Sequence, residues 1–429
     1  MIGAIFAALP LLLTVAGVPI FIILLAVTAL GINHLGTADL RIIHTSIFGG
    51  LDSFPMLAIP LFIFAGDVMA QGGIARRLIR LILSLVGGIP GSMGVAAIGS
   101  ASVFGAMSGS SVACVAAIGR LTVPTLIEQG YGRRFSGSLI AATGVIDIII
   151  PPSIAMILYG ITAQVSVTQL FVAGVVPGIM IAALLSLYVM VRASVMGTVR
   201  SARPQLPVVL GALRDSTWAM FAPVLILGGI YGGIFTPTEA AGIACTYSII
   251  VSVFIYKELS WADIWRIATS SSVLVAQIML LVAASSAFGW LVTTSGLPQK
   301  FMALIQGMNL SVWAMLLIFN VVLLLVGSLL DPPPAILILV PLLAPVVQAA
   351  GIDPIHFGLV VTINLAIGMF LPPFGINLFA ANALFKIPLG ELYRGVLPFL
   401  VIYLIVLGLI TYIPELTTVP VGFIMGLTQ

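Results

Sequence analysis

Long apolar segments, broken by short clusters of glycine, proline and charged residues, make up most of this chain. Uncharged apolar runs of about 20 residues, the length a helix needs to cross a bilayer, recur along the whole sequence. The first run, MIGAIFAALPLLLTVAG, lacks a basic start and continues apolar to Leu30, so it predicts a retained first span. No soluble domain fits between the runs. The pattern predicts an all-α polytopic membrane protein.

Composition supports this class and excludes others. The 429 residues are 61% hydrophobic and 7% charged, against about 25% charged in soluble proteins. The net charge of +3 is small and no basic patch has interleaved aromatic residues, which argues against nucleic acid as a partner. Cys114 and Cys245 lie inside apolar runs, as packing thiols do. His34, His44 and His356 stand singly, with no spacing that suits a metal.

The segment IDIIIPPSIA, residues 147–156, places two prolines inside an apolar run. Proline removes a backbone donor and clashes with the preceding turn, so the pair leaves carbonyl groups without intrahelical partners. Apolar residues flank the pair on both sides, which predicts a helix broken at membrane depth. Such backbone is tolerated there when it is buried in protein or lines a watery cavity.

Prolines and glycines repeat along the chain with an offset of 221 residues. Each copy has a small-residue or proline-rich break, at 105–111 and at 327–334, followed by an apolar stretch that ends in a double proline. This order predicts an internal duplication. The matching pairs are Pro124 and Pro345, Gly130 and Gly351, Gly137 and Gly358, Pro151 and Pro372, and Pro152 and Pro373.

Basic residues predict the orientation of the chain. With a cytoplasmic N-terminus, 13 of the 16 lysines and arginines fall on cytoplasmic segments, as the positive-inside rule requires. This orientation places the C-terminus in the periplasm. Arg41 and Lys300 fall outside these segments, and Arg120 lies within a membrane segment without an assigned role. The 13 are Arg76, Arg77, Arg80, Arg133, Arg134, Arg192, Arg200, Arg203, Arg214, Lys257, Arg266, Lys386 and Arg394.

The charge pattern also gives the two copies opposite orientations. Residues 91–130 have arginines on both sides and so enter and leave from the cytoplasm, whereas 311–351 have no basic residue at either base. We therefore predict two inverted repeats, each with a re-entrant helical hairpin and a proline-broken helix. This is the pattern of an ion-coupled secondary transporter whose site lies at the midplane.

The same pattern divides the chain into scaffold and transport parts. Amphipathic segments at 72–87 and 260–271 predict interfacial arm helices that carry the moving part. The predicted parts are scaffold spans with an arm helix at 1–90, a first transport part at 91–165, scaffold spans with a second arm helix at 166–310, a second transport part at 311–385, and a C-terminal scaffold span at 386–429.

Carbonyl oxygens without an intrahelical partner, and hydroxyl oxygens at the breaks, suit a weakly bound alkali cation better than zinc or copper. Sodium is the natural candidate. We expect two sodium sites and no other cofactor. The alternative is that small residues merely let helices pack. The first set of predicted ligands is Ser108, Ser110 and carbonyls near Gly144 and Pro151. The second set is Gly327 to Asp331 with carbonyls near Gly368, Met369 and Pro372.

Substrate is expected between the two hairpin tips. Anions favour helix N-termini, and new helices start after each double proline, at Ser153 and at Gly375. Asn364 and Asn377 are the other predicted substrate residues, and Ser153 is either a ligand or a cap. We expect Asp331 to cap the returning helix and to add charge to a sodium ion or its water shell.

Several segments in this order resemble the large membrane subunit of tripartite ATP-independent periplasmic (TRAP) transporters, over essentially the whole chain. The segments are GAMSGSSVACVAAIG, GYGRRF, PPSIAMILYG, FTPTEAA at 235–241 and GMFLPPFGINLF. The FTPTEAA segment itself predicts a turn into a helix, with Thr236 or Thr238 as cap and Glu239 in the first turn. Asp147 departs from the family pattern, because the resemblance leads us to expect a small uncharged residue there.

The resemblance implies sodium-driven uptake of an organic acid by an elevator movement in the bacterial inner membrane. It allows four-carbon dicarboxylates, sialic acid and other sugar acids, and we favour sialic acid. It also implies two protein partners. One is a periplasmic binding protein that delivers substrate, and the other is a small membrane subunit of about four helices, expected here as a separate chain.

Other classes of function fit less well. An intramembrane hydrolase needs a nucleophile with a base, but no HExxH is present and the histidines lie outside the apolar span interiors. An ATP-driven permease subunit needs a nucleotide-binding partner, and the chain has no P-loop of its own. A structural assembly subunit has no need of broken helices in opposed pairs.

Overall fold

A computed structural model describes residues 9–36, 39–308 and 310–426, without the side chains of Leu11, Val15 and Leu35. Residues 1–8, the start of the predicted first span, lie outside the described residues. The described chain is helical and has no strand. Nine of its helices are long and apolar enough to cross a membrane, or ten spans if the proline-broken pair counts as one. The predicted all-α polytopic class is confirmed.

The described residues up to Ala163 form ten α-helices. Those before the first hairpin are α1 (Leu9–Val15), α2 (Ile20–Leu35), α3 (Arg41–Leu51), α4 (Ala58–Gln71, after a 3-10 turn at Phe54–Leu57) and α5 (Ile74–Val86). The first hairpin and broken span are α6 (Ser92–Ser108), α7 (Ser111–Glu128), α8 (Arg133–Thr143), α9 (Ile146–Ile149) and α10 (Ile154–Ala163).

The rest of the described chain forms eleven helices. Those between the two copies are α11 (Val167–Met196), α12 (Leu206–Tyr231), α13 (Pro237–Ile249, followed by a π-helical turn at Ile250–Ile255), α14 (Trp261–Thr294) and α15 (Leu297–Gly307). The second hairpin, second broken span and C-terminal helices are α16 (Val312–Leu329), α17 (Pro332–Ala349), α18 (Pro354–Gly368), α19 (Ile376–Phe385), α20 (Leu389–Tyr412) and α21 (Glu415–Gly426).

Helix boundaries repeat along the chain with nearly the predicted offset. Five pairs of helices start 220 to 222 residues apart: α6 and α16, α7 and α17, α8 and α18, α10 and α19, and α11 and α20. This spacing agrees with the duplication inferred from prolines and glycines. The inverted orientation of the two copies stays a prediction.

Both predicted breaks are present in the first copy. The hairpin turns at Gly109, whose φ of 64° lies in the left-handed region that favours glycine. The helical axis bends by 41° between Arg133–Ile149 and Ile154–Ala163, at the double proline. In the second copy, Leu330 and Asp331 separate α16 from α17, and a seven-residue break separates α18 from α19.

The two predicted arm helices differ in the structure. Residues 74–86 form the separate amphipathic helix α5, as expected. Residues 260–271 instead begin the continuous 34-residue helix α14, and the role of either segment as an arm stays a prediction. Ser260 and Asp263 form a capping box that starts this helix. At 1.5 Å per residue α14 is about 50 Å long, so it exceeds a hydrocarbon core of about 30 Å.

Contacts join the segments that the sequence places on the cytoplasmic side. The Arg77 guanidinium lies 2.5 Å from the Glu258 carboxylate and 3.3 Å from that of Asp215, which ties α5 to α12 and to the loop before α14. Arg133 donates a hydrogen bond of 2.9 Å to the carbonyl of Lys386. The side of the membrane on which these segments lie stays a prediction.

The predicted helix start at FTPTEAA is confirmed. Thr236 is the N-cap of α13, and its hydroxyl accepts a hydrogen bond from the Glu239 N–H. The Glu239 carboxylate in turn accepts from the Thr236 N–H at 2.8 Å. Glu239 therefore has a capping role.

Candidate transport site

The first hairpin tip is held by the carboxylate of Asp147, which is completely buried in α9. The Ser108 hydroxyl donates to Oδ2 at 3.2 Å, and the Gly109 N–H donates to Oδ1 at 3.0 Å. A Cβ at Gly105 would lie 2.7 Å from the Asp147 Cα, so the glycine permits the close approach of α6. The predicted ligand Ser108 therefore contacts Asp147, the residue that departs from the pattern expected from the resemblance.

The other side of the same tip contacts both broken spans. The Ser111 hydroxyl donates to Asn377 Oδ1 at 3.0 Å, and Asn377 Nδ2 donates to the Ala141 carbonyl at 3.1 Å. The Asn377 N–H donates to the Met369 carbonyl at 2.9 Å. A Cβ at Gly144 would lie 3.1 Å from the Ser111 carbonyl oxygen. The structure therefore brings together the predicted residues Gly144, Met369 and Asn377.

The second predicted cation site contains a tight contact between glycines. A Cβ at Gly368 would lie 2.1 Å from the carbonyl carbon of Gly327, so α16 and α18 meet backbone to backbone. Asn364 lies beside this contact and donates to Asn320 Oδ1 at 2.7 Å and to the Val360 carbonyl at 2.8 Å. Sequence reasoning missed Asn320, although a polar side chain in the apolar segment α16 was a usable signal.

Two buried oxygens at equivalent positions have no hydrogen-bond partner among the described residues. They are Thr143 Oγ1 and Asn364 Oδ1, which are 221 residues apart and precede the break in each broken span. Buried polar groups normally have a partner. Hydroxyl and amide oxygens such as these two are ligands that suit a hard cation. No group of three or more His, Cys, Asp and Glu residues forms a metal cluster in the described chain.

The remaining predicted residues sit at the helix breaks. Ser153 is fully buried and caps α10 by accepting a hydrogen bond of 3.5 Å from the Met156 N–H. Pro151 is also buried, whereas Pro372 is half-buried. Gly375 precedes α19 and donates its N–H to the Leu371 carbonyl at 3.0 Å. For Ser153 the geometry is that of the capping alternative.

A cavity of about 630 Å³ lies between the two hairpin tips and the helices α2, α4 and α14. Three of the predicted residues line it: Ser110, Asp331 and Met369. The four predicted substrate residues do not line it in this structure; they are Ser153, Asn364, Gly375 and Asn377. Its opposite wall consists of Ile20, Phe21, Asp67, Leu274, Gln277, Ile278 and Leu281.

Asp331 occupies the N-cap position of α17, but its side chain makes no capping hydrogen bond. The predicted capping bond is therefore absent, and the carboxylate is exposed to the cavity. The structure brings a second acidic residue, Asp67, to the same cavity, where Ser271 donates a hydrogen bond of 2.5 Å to it. Sequence reasoning missed Asp67, although an ionisable residue inside the apolar segment of α4 was a usable signal.

The fold is similar to that of solved transporters. It superposes on the crystal structure of the Alcanivorax borkumensis YdaH transporter with a TM-score of 0.61 at 15% sequence identity. The alignment covers 95% of this chain and 97% of that one. At this identity the likeness shows the fold alone.

Sequence comparison identifies the family. The C4-dicarboxylate TRAP transporter large permease protein DctM of Pseudomonas aeruginosa is 37% identical over 389 residues, which are 91% of each chain. The isethionate TRAP transporter permease protein DctMQ of Oleidesulfovibrio alaskensis is 38% identical over 406 residues, which are 94% of this chain and 64% of that protein. The family described as "Tripartite ATP-independent periplasmic transporter, DctM component" matches residues 7–416. The chain therefore belongs to the DctM component family of TRAP transporters.

Proposed function

We propose that this chain is the transport subunit of a sodium-coupled uptake system for a small organic acid, working by an elevator movement. The observation that carries the proposal is the cavity of about 630 Å³, which has both hairpin tips on one side and α2, α4 and α14 on the other. A site between the breaks of two repeats and a scaffold is typical of secondary transporters.

The charge of the cavity supports cation coupling. Two carboxylates, Asp67 and Asp331, line the cavity, and no lysine or arginine does among the described lining residues. An organic anion would be repelled there unless bound cations compensate the charge. Sodium ions, when bound, would supply that positive charge.

We propose the two predicted sodium sites on the described geometry. Ser108, Ser110 and the backbone near Gly144 and Pro151 would hold one ion, since the first tip meets the first broken span there. Thr143 Oγ1 and Asn364 Oδ1, the buried oxygens without a partner, support one site in each half. The second set comprises Gly327, Asp331, Gly368, Met369 and Pro372.

The names of the relatives support a proposal for the substrate class. The two described above are named for a C4-dicarboxylate and for isethionate, both small organic anions. We propose an anion of this size, delivered by a periplasmic binding protein. Of the acids allowed by the resemblance, this favours a dicarboxylate over sialic acid.

The contacts support a single moving body. Ser111 and Asn377 join the first tip to the second broken span, and glycine contacts join the second tip to α18. The Tyr403 hydroxyl in α20 donates to the Ala142 carbonyl at 2.8 Å. We therefore propose that α20 moves with the transport part, although residues 386–429 were predicted as scaffold.

We place the complex in the bacterial inner membrane, with a cytoplasmic N-terminus and a periplasmic C-terminus. Its proposed partners are the periplasmic binding protein and a small four-helix membrane subunit on a separate chain. Many large apolar side chains, such as Leu210, Phe221 and Val224 on α12, are exposed, as a lipid-facing or subunit-facing surface requires.

Transport in proteoliposomes tests the proposal. The chain is reconstituted with its small subunit and binding protein, and uptake of a labelled four-carbon dicarboxylate, isethionate and sialic acid is followed. An inward sodium gradient should drive uptake, whereas a matched potassium gradient or internal ATP should not. Uptake that ignores sodium would contradict the proposal, and ATP-dependent uptake would favour an ATP-driven permease.

A further inference from the structure

Asp147 is a buried charged group that the two proposed sodium sites do not include. Its side chain has no solvent exposure. The ion pairs among the described residues involve other carboxylates, those of Asp39, Asp215, Glu258 and Asp263. An ionised carboxylate buried without a cationic partner is strongly unfavourable, so Asp147 must bind either a proton or a counterion.

The hydrogen bonds of Asp147 leave room for such an ion. An ionised carboxylate has about four acceptor positions. The Ser108 hydroxyl and the Gly109 N–H occupy two of them, and the Ser110 N–H takes a third. This leaves one acceptor position in the contact where the first hairpin tip meets the first broken span.

The internal duplication shows that this carboxylate is particular to the first half. The position equivalent to Asp147 is Gly368, where a Cβ would lie 2.1 Å from the carbonyl carbon of Gly327. The position equivalent to Asp331, at the second tip, is Ser110. At these two pairs of equivalent positions each half carries one carboxylate, Asp147 in the first broken span and Asp331 at the second hairpin tip.

We propose that Asp147 is the charged ligand of the first cation site, where its carboxylate binds sodium together with the Ser108 hydroxyl and backbone carbonyls. This inference rests on the proposed sodium coupling. Binding the cation neutralises the buried carboxylate and ties the tip to α9. The first site thus differs from the second in having its full charge inside the protein rather than at the cavity wall.

Direct binding of radioactive sodium to the purified full-length chain tests this inference. Asp147→Asn keeps a side-chain oxygen for the Gly109 N–H and removes the charge. We expect the variant to lose one class of sodium sites at concentrations that saturate the wild type, with an affinity about tenfold or more weaker. Sodium-dependent thermal stabilisation, measured against potassium at equal ionic strength, should weaken in parallel.

Asp353→Asn is the matched control. Asp353 Oδ1 accepts hydrogen bonds from the N–H groups of Ile355 and His356 at 2.8 and 2.9 Å, outside the cavity. Asparagine also caps helices well, so this variant should bind sodium as the wild type does. Should Asp147→Asn fail to fold, Asp147→Ser removes the charge with a smaller side chain.

The outcomes separate this inference from the proposed function. Wild-type sodium binding by a folded Asp147→Asn or Asp147→Ser protein would overturn the role of Asp147 and leave sodium coupling intact. A wild-type chain that binds no sodium, in a complex whose uptake ignores sodium, would contradict the coupling itself and this inference with it.

Discussion

Replacing Gly368 with alanine tests the contact between the second hairpin and the second broken span. The new Cβ would lie 2.1 Å from the carbonyl carbon of Gly327, whereas ordinary contact begins near 3.4 Å. The obstacle is backbone, so no side-chain rotation relieves it, and α16 and α18 must separate by about 1.3 Å. Overpacking of this kind costs about 1–3 kcal/mol or more.

Thermal unfolding of the purified chain measures the cost, and sodium-dependent uptake measures its effect on the proposed second cation site. We expect Gly368→Ala to lower the unfolding temperature and to raise the sodium concentration needed for half-maximal uptake. Gly327→Ala should cost less, because its Cβ would lie 3.0 Å from the Leu365 Cα.

Gly408→Ala in α20 is the matched control, since a Cβ there has no neighbour within 4 Å among the described residues. Alanine favours a helix interior over glycine by about 0.5–1 kcal/mol, so this variant should be as stable as the wild type or slightly more stable. Wild-type stability and sodium dependence in Gly368→Ala would refute the close contact on which the second site is built.

Three further substitutions test single side chains. Asp331→Asn should lower sodium-driven uptake about tenfold or more, because it removes a charge from the cavity wall. The unfolding temperature in detergent should stay unchanged, because no capping hydrogen bond is lost. Wild-type uptake by this variant would exclude a role for the charge of Asp331. Ser153→Ala should lower the free energy of unfolding by about 0.5–1 kcal/mol through loss of a cap, with substrate affinity intact, whereas weaker substrate affinity at unchanged stability would make Ser153 a ligand. Ser108→Ala removes a hydroxyl that contacts Asp147. A loss of about 1 kcal/mol of sodium-binding free energy corresponds to about a fivefold rise in the sodium concentration for half-maximal uptake. Unchanged sodium dependence in uptake assays would count against Ser108 as a ligand.

The helix breaks and caps could be predicted from the sequence, because they depend on local rules of helix geometry. The double proline at 151 and 152 and the glycine-rich tip near Gly109 interrupt helices locally, so the breaks could be located without the structure, although single prolines such as Pro124 and Pro345 lie inside helices. The cap at Thr236 depends on neighbouring residues alone. The extent of α14 was harder to predict. Its amphipathic start and its apolar continuation form one helix because no proline or glycine cluster separates them.

The site was predicted less completely, because its contacts join distant parts of the chain. Periodicity along one helix does not show that Ser111 contacts Asn377, 266 residues away. Nor does it show that Asp67 on α4 shares a cavity with Asp331 on the second tip. The predicted substrate residues Asn364 and Asn377 are polar, but the structure uses them to join helices.

The sequence by itself determined the membrane class and the positions of the helix breaks, and it predicted the 221-residue offset that the helix starts nearly follow, since these depend on local composition. The tertiary structure decided which oxygens meet at each tip, which residues line the cavity, and that Asp147 is buried against Ser108 and Gly109. The physical reason is that burial and hydrogen bonding of a polar side chain depend on the elements packed around it, whereas a double proline interrupts the helix in which it lies.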